Sequence, residues 1–112
     1  MDSALKQKLA DKTKMNLLDF PELPLSEEQA TILAGNGNVC IKQIISTGQT
    51  SEWYDQSETE FVTLLQGEAR IEFESREITL VKGDTVIIKP HERHRVSCTS
   101  TKPPCVWLCV FY

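Results

Sequence analysis

The chain has 112 residues and a formal net charge of −4, enough for one domain with a core and too few for two. The acidic balance argues against a nucleic-acid partner, because a phosphate-binding surface needs clustered Lys and Arg. No apolar run approaches the roughly 18 to 20 residues that cross a bilayer, and the N-terminus lacks the apolar stretch of a signal peptide, so a cytoplasmic protein with no membrane partner is expected.

Lys6, Lys8, Lys12 and Lys14 crowd the start of the chain, but Asp2 and Asp11 interrupt them, which reads as a solvated helical face rather than a polyanion-binding arm. The segment ALKQKLADKTK holds helix formers without a strong apolar stripe, so a helix there is marginal on its own. The prolines of FPELP then break regularity. Ser26 with Gln29 three residues on forms a capping-box pattern ahead of Ala30, Ile32 and Leu33, and Gly35 supplies a stop; this predicts a short helix over about residues 27 to 34. Residues 1–36 are therefore expected to form an N-terminal arm, and residues 37–112 a β domain.

After GNGN the texture changes to short runs rich in branched and aromatic residues: VCIKQIIST, ETEFVTLLQ, EARIEFE, REITLV, TVIIK, RVSC and CVWLCVFY. These predict at least seven strands. In EARIEFE the alternation of Ala69, Ile71 and Phe73 with charged neighbours marks one buried face and one wet face. Turn signals at short intervals with no intervening helices predict an all-β sandwich or barrel and exclude a doubly wound α/β fold. The last run is apolar on both faces, so it must be covered twice: by the barrel interior on one side, and by the N-terminal arm or a second copy of the chain on the other. A homodimer is expected on that ground. The four cysteines, Cys40, Cys98, Cys105 and Cys109, form no C-x-x-C pair; Cys105 and Cys109 read as small buried side chains on one strand face.

Two glycine-bounded segments carry the candidate chemistry. The first runs Gly48, five residues, Tyr54, one residue, Gln56, three residues, Glu60, six residues, Gly67; the second runs Gly83, five residues, Lys89, one residue, His91, two residues, His94. This spacing resembles the two motifs of the cupin superfamily, in which the first pattern is Gly, His, His, Glu, Gly and the second is Gly, Pro, Gly, His. The resemblance covers about residues 39 to 112 and extends to the WYDQ segment, the PHERHRV segment and the WLCVFY ending that small single-domain cupins resemble. It implies a cupin double-stranded β-helix, a jelly-roll barrel, with its site in the barrel mouth.

Carried over position by position, the resemblance implies Gln56, Glu60 and His94 as metal ligands for a divalent transition metal such as iron, manganese, nickel or zinc; His91, which stands where the family often has glycine, adds a second imidazole if the turn tips it inward. It further implies Tyr54 and Glu60 as catalytic residues and Trp53, Tyr54, Gln56 and Trp107 as the ligand-binding wall. Relatives include dioxygenases and isomerases. The alternation of an extended segment supports part of this set, because Tyr54, Gln56, Glu58, Glu60, Val62 and Leu64 then project to one side, as do His94, Val96 and Cys98. Tyr54 and Gln56 nevertheless stand where a metal-binding relative carries histidine, and Asp55 replaces Gln56 if the segment bulges. Three readings remain open: a metal-dependent enzyme, a metal-free barrel that binds or senses a small molecule, and a dimeric interaction module.

Overall fold

The computed structural model of the protein describes residues 13–20 and 25–112. Eight strands are present: β1 (Gln29–Asn36), β2 (Val39–Ser46), β3 (Glu60–Gln66), β4 (Ala69–Phe73), β5 (Glu77–Leu80), β6 (Thr85–Ile88), β7 (His94–Thr99) and β8 (Cys105–Phe111). They form two antiparallel sheets, one in the order β1-β2-β8-β3-β6 and the other in the order β5-β4-β7. The all-β expectation holds, and each of the seven expected runs contains one strand. Among the described residues no helix is long and apolar enough to cross a membrane.

The alternation legible in the sequence places the core. Val62 and Leu64 of β3, Ala69, Ile71 and Phe73 of β4, and Cys105, Trp107 and Cys109 of β8 are buried between the sheets. At about 25 cal/mol per Å² of apolar surface, burying side chains of this size is the main favourable contribution to folding. Cys105 and Cys109 are free thiols with 0% and 2% exposure, in line with their reading as small core side chains. Strand β8 lies at the middle of its sheet, paired with β2 on one side and β3 on the other.

Two local expectations are corrected. Residues 27 to 34 are not a helix: Gln29–Asn36 is a strand that pairs with β2 from Gln29 opposite Ile45 to Asn36 opposite Val39. The capping pattern is a local preference of a few residues, whereas the β2 ladder satisfies the backbone of the whole segment, and branched Thr31 and Ile32 suit a strand. His94, Val96 and Cys98 do not all share a face either. The register between β4 and β7 shifts between Arg70 and Ile71, and the bulge leaves Cys98 exposed while Thr99 is buried. The marginal helix of ALKQKLADKTK and the break at FPELP fall mostly outside the described residues.

The two outer faces differ in chemistry. On the three-stranded side, Arg95 meets Glu72 at 2.7 Å, with further pairs Arg70–Glu77 at 3.9 Å, Arg93–Glu74 at 3.5 Å and Arg76–Glu92 at 3.6 Å. On the five-stranded side, Ile87, Phe61, Val110 and Ile41 stand opposite one another across β6, β3, β8 and β2. Part of this second face is covered from within the chain, because the Gln43 amide, on the same outer face, donates to the Leu17 carbonyl at 2.6 Å.

Gly67, between β3 and β4, has φ +95°, and a Cβ there would stand 2.9 Å from Cys105 Cα, Cys105 Sγ and the Pro104 carbonyl. Gly83 has nearly the same φ, +92°, with open space around it. Gly67→Ala is therefore expected to cost roughly 3 kcal/mol, through backbone strain plus a clash with chain that cannot move aside, and Gly83→Ala about 1 kcal/mol through strain alone. Urea denaturation of the two variants checks the ranking; equal midpoints would show that the contact with Cys105 is not the limiting one.

Candidate functional site

A cavity of about 450 Å³ opens between the inner face of the five-stranded sheet and the Ile71, His94 and Val96 side chains of the smaller sheet. Its apolar wall includes Ile44, Val62, Ile88, Trp107 and Phe111, and its polar groups include Tyr54, Gln56, Glu58, Glu60 and His94. A volume in the range of about 300 to 1,000 Å³ with a mainly apolar wall and a few oriented polar groups is what a small-molecule site requires.

The backbone fixes the polar groups in place. The segment ahead of β3 is laid against β7: the Tyr54 amide donates to the His94 carbonyl at 2.7 Å, and the His94 amide returns to the Tyr54 carbonyl at 3.2 Å. The Ser51 amide donates to the Val96 carbonyl at 2.9 Å, and the Ser51 hydroxyl accepts from the Val96 amide at 2.8 Å. Farther along, the His91 amide donates to the Gln56 carbonyl at 2.7 Å. The two glycine-bounded segments are thus joined strand to strand. Tyr54, Gln56, Glu58, Glu60 and Val62 all line the cavity, as the alternation implies.

His94 and Glu60 are the most enclosed pair of charged groups in the cavity, with side chains 4% and 11% exposed and His94 Nε2 3.6 Å from Glu60 Oε1. His94 Nδ1 lies 2.8 Å from the Glu92 carbonyl. A carbonyl only accepts, so Nδ1 carries a hydrogen, and Nε2 is the nitrogen left to titrate. Without a proton, its lone pair would face a carboxylate oxygen. Burial by itself lowers the His94 pKa, but the Glu60 carboxylate and the Glu92 carbonyl outweigh it, and the net direction is upward. The Gln56 amide nitrogen donates to the same Glu60 oxygen at 3.1 Å.

Tyr54 packs its ring 5.7 Å from that of His94, and Phe73 lies 6.3 Å from the same ring on another element. Burial, with added repulsion from Glu28 and Glu60, raises the Tyr54 phenol pKa, so this side chain presents a neutral O–H. The Cys109 thiol is pushed far upward by burial and by Glu60, so it keeps its proton.

Of the other expected site residues, Trp53 and His91 sit elsewhere. Trp53 is not among the residues lining the cavity; the guanidiniums of Arg93 and Arg95 stand 5.3 and 5.4 Å from its ring. His91 takes φ +62° in the turn and places Nδ1 2.8 Å from Asp55 Oδ1, both side chains being exposed. Trp107 does line the cavity, and its indole N–H donates to Ser46 Oγ at 3.2 Å. Among the described residues no three His, Cys, Asp or Glu side chains group closely enough to hold one metal ion.

Several lining residues are not expected from the sequence, among them Glu28, Cys40 and Lys42. A signal for Cys40 and Lys42 was present, because the same alternation that turns Ile44 and Ser46 of β2 inward places them on that face. Glu28 was hidden by the helix expected over its segment.

The sequence matches the Cupin domain family over residues 41–111. Among solved structures, a Ralstonia eutropha JMP134 protein named as a "putative mannose-6-phosphate isomerase" is similar at 33% identity, covering 88% of this chain and 95% of that one with a TM-score of 0.83. A cupin superfamily protein from Desulfitobacterium hafniense DCB-2 (22% identity, 81% and 82% covered, TM-score 0.72) and the polyketide cyclase RemF from Streptomyces resistomycificus (16% identity, 77% and 65% covered, TM-score 0.67) share the fold. A search among curated proteins gives no match. With the family pattern spanning most of the chain, the two-sheet barrel in place and both glycine-bounded segments at its mouth, the chain belongs to the cupin superfamily.

Proposed function

We propose that this cupin barrel binds a small molecule in its cavity without a resident transition metal, using His94, Glu60, Gln56 and Tyr54 as its polar contacts. The observation that carries this reading is that Glu60, Gln56 and His94 already meet one another's needs. Glu60 Oε1 receives the Gln56 amide and faces His94 Nε2, and His94 is anchored from behind by the Glu92 carbonyl. Such a set needs no cation to offset a buried carboxylate.

The donor set does not fit a transition metal, which wants several imidazole, thiolate or carboxylate ligands around one point. Glu60 and His94 are two such groups. Gln56 turns its nitrogen to Glu60, Tyr54 stays a phenol, Cys109 stays a thiol, and His91 is engaged with Asp55 outside the cavity. What the chain itself can supply is a proton held between Nε2 and the Glu60 carboxylate, a phenol donor beside it, and an apolar wall that excludes water. A ligand with a carbonyl or hydroxyl near His94 would be oriented by these groups.

A second reading, a homodimer through the outer face of the five-stranded sheet, is favoured by the apolar row described above. Ile87 and Phe61 are 56% and 36% exposed, and an uncovered row of this kind across a sheet invites pairing.

Three outcomes are expected. Protein purified without chelator contains less than about a tenth of an equivalent of any transition metal, and its melting temperature is unmoved by EDTA; a stoichiometric metal, or a melting point that drops on chelation, overturns the metal-free reading. His94→Gln costs about 3 kcal/mol at low pH, where the raised His94 pKa makes its contribution full below the unfolded value of about 6.5 and lets it fade as pH rises through the folded one. Denaturation at a series of pH values reads this, and a cost that grows with pH contradicts it. For the dimer, Val110→Asp yields a monomer by sedimentation while the cavity residues stay folded; a parent chain that is monomeric throughout the micromolar range removes the second reading.

A further inference from the structure

We infer that the cavity takes a small organic cation, an ammonium or guanidinium head on an apolar body, and that Glu28 is the residue that selects it. This rests on the small-molecule reading of the cavity and adds to it the charge and the orientation of the ligand.

Glu28 lies outside the stretch that matches the family, one residue ahead of β1. Its place follows from the strand register: Gln29 pairs with Ile45, so Glu28 falls beside Ser46, whose hydroxyl donates to Glu28 Oε2 at 3.4 Å. That hydroxyl is itself committed, because it accepts the Trp107 indole N–H at 3.2 Å, and Ser46 and Trp107 are 0% and 4% exposed. The proton of the hydroxyl is therefore aimed at the carboxylate from inside the core. Glu28 is exposed, and this contact from the Trp107–Ser46 pair turns its carboxylate toward the cavity that it helps to line.

The charges of the lining do not cancel. Glu28, Glu58 and Glu60 stand against Lys42 and His94. Glu60 and His94 face each other at 3.6 Å, which leaves two carboxylates to one ammonium. An anionic ligand would add to the excess, and a monocation would remove it. Glu28 and Glu60 also act on a common space, since both push up the Tyr54 phenol and the Cys109 thiol.

An aromatic wall suited to a cation is present as well. Lys42 Nζ lies 5.2 Å above the centre of the Phe111 ring, so the chain's own ammonium already rests on one aromatic face of the cavity. Sheet order puts β2 and β8 between β1 and β3, so Glu28 and Glu60 are three strand spacings apart, about 14 Å between backbones. Ile44, Trp107 and Cys109 lie on the inner face of the strands between them. A cationic head at Glu28 would lay its apolar body over these side chains and direct its far end to His94. A phosphate ester finds little here: no arginine lines the cavity among the described residues, and Lys42 is its one lysine.

The test titrates the full chain with phenethylamine and butylguanidine, with 2-phenylethanol and 1-butanol as uncharged counterparts, and with mannose and mannose 6-phosphate. Melting temperature and tryptophan fluorescence are the readouts. At least one amine is expected to bind about tenfold or more tightly than the alcohols. Glu28→Gln, which keeps an acceptor for the Ser46 hydroxyl, should bring that ratio close to one without changing alcohol affinity, and Lys42→Gln should tighten the amine roughly threefold by removing the competing charge. Alcohols that bind as well as amines, or mannose 6-phosphate binding best, would overturn the cation and leave the small-molecule reading standing. If no probe moves either readout, both fall. A preference for amines that survives Glu28→Gln removes Glu28 from the role given to it.

Discussion

Strand β8 is the constraint on which the rest of the molecule depends. It carries no charged side chain, it lies between β2 and β3 in the larger sheet, and Cys105, Val106, Trp107 and Cys109 are almost wholly buried. A strand of this kind contributes its full apolar area only if both neighbours and both faces are covered. Three of its inward residues also meet a polar group that matters to the cavity. Trp107 holds Ser46, Phe111 lies beneath Lys42, and the Cys109 thiol feels Glu60. Core and site are one set of contacts here, and a change in β8 alters both.

The second organising element is the way a buried carboxylate is satisfied. Glu60 sits in a mostly apolar surrounding, where an isolated charge would cost several kcal/mol. Here Glu60 Oε1 faces His94 Nε2, whose pKa it raises, and accepts an amide hydrogen from Gln56. In a metal-binding arrangement those same positions would lend lone pairs to an ion; in the metal-free reading proposed above they supply hydrogens. The direction of the hydrogen bonds, more than the identity of any single residue, separates the two kinds of cavity.

Much of this was legible in the sequence, and the failures share a cause. The alternation from Tyr54 to Leu64 located five cavity-lining residues because a strand with a two-residue period leaves each side chain one choice of face. By the same rule Trp53 points away from Tyr54, and its position between Arg93 and Arg95 follows. The bulge in β7 could not be read, since an extra residue is set by what the partner strand requires and not by the side chain that bears it. Strand β1 was misread as a helix because a capping pattern is local, whereas the β2 ladder that replaces it is formed by residues later in the chain. That single misreading also concealed Glu28, which becomes a cavity residue only once its segment is extended. The isolated pair His91 and Asp55 was open in the sequence, where either residue could face inward; the turn at φ +62° carries His91 outward, and Asp55, alternating with Tyr54 and Gln56, faces out to meet it.

The contrast between the two outer faces has a consequence for the solvent the protein meets. One side carries exposed ion pairs, each worth about 1 kcal/mol or less and weakened as ions screen them. The other presents aliphatic and aromatic side chains, whose aversion to water grows when strongly hydrated salts such as sulfate are added. Rising ionic strength therefore pulls the two sheets in opposite senses, loosening the lattice of charges on the smaller one while making the larger one more adhesive. The molecule is built with a brackish side and an oily side, and the salt content of its surroundings sets which of them governs its behaviour.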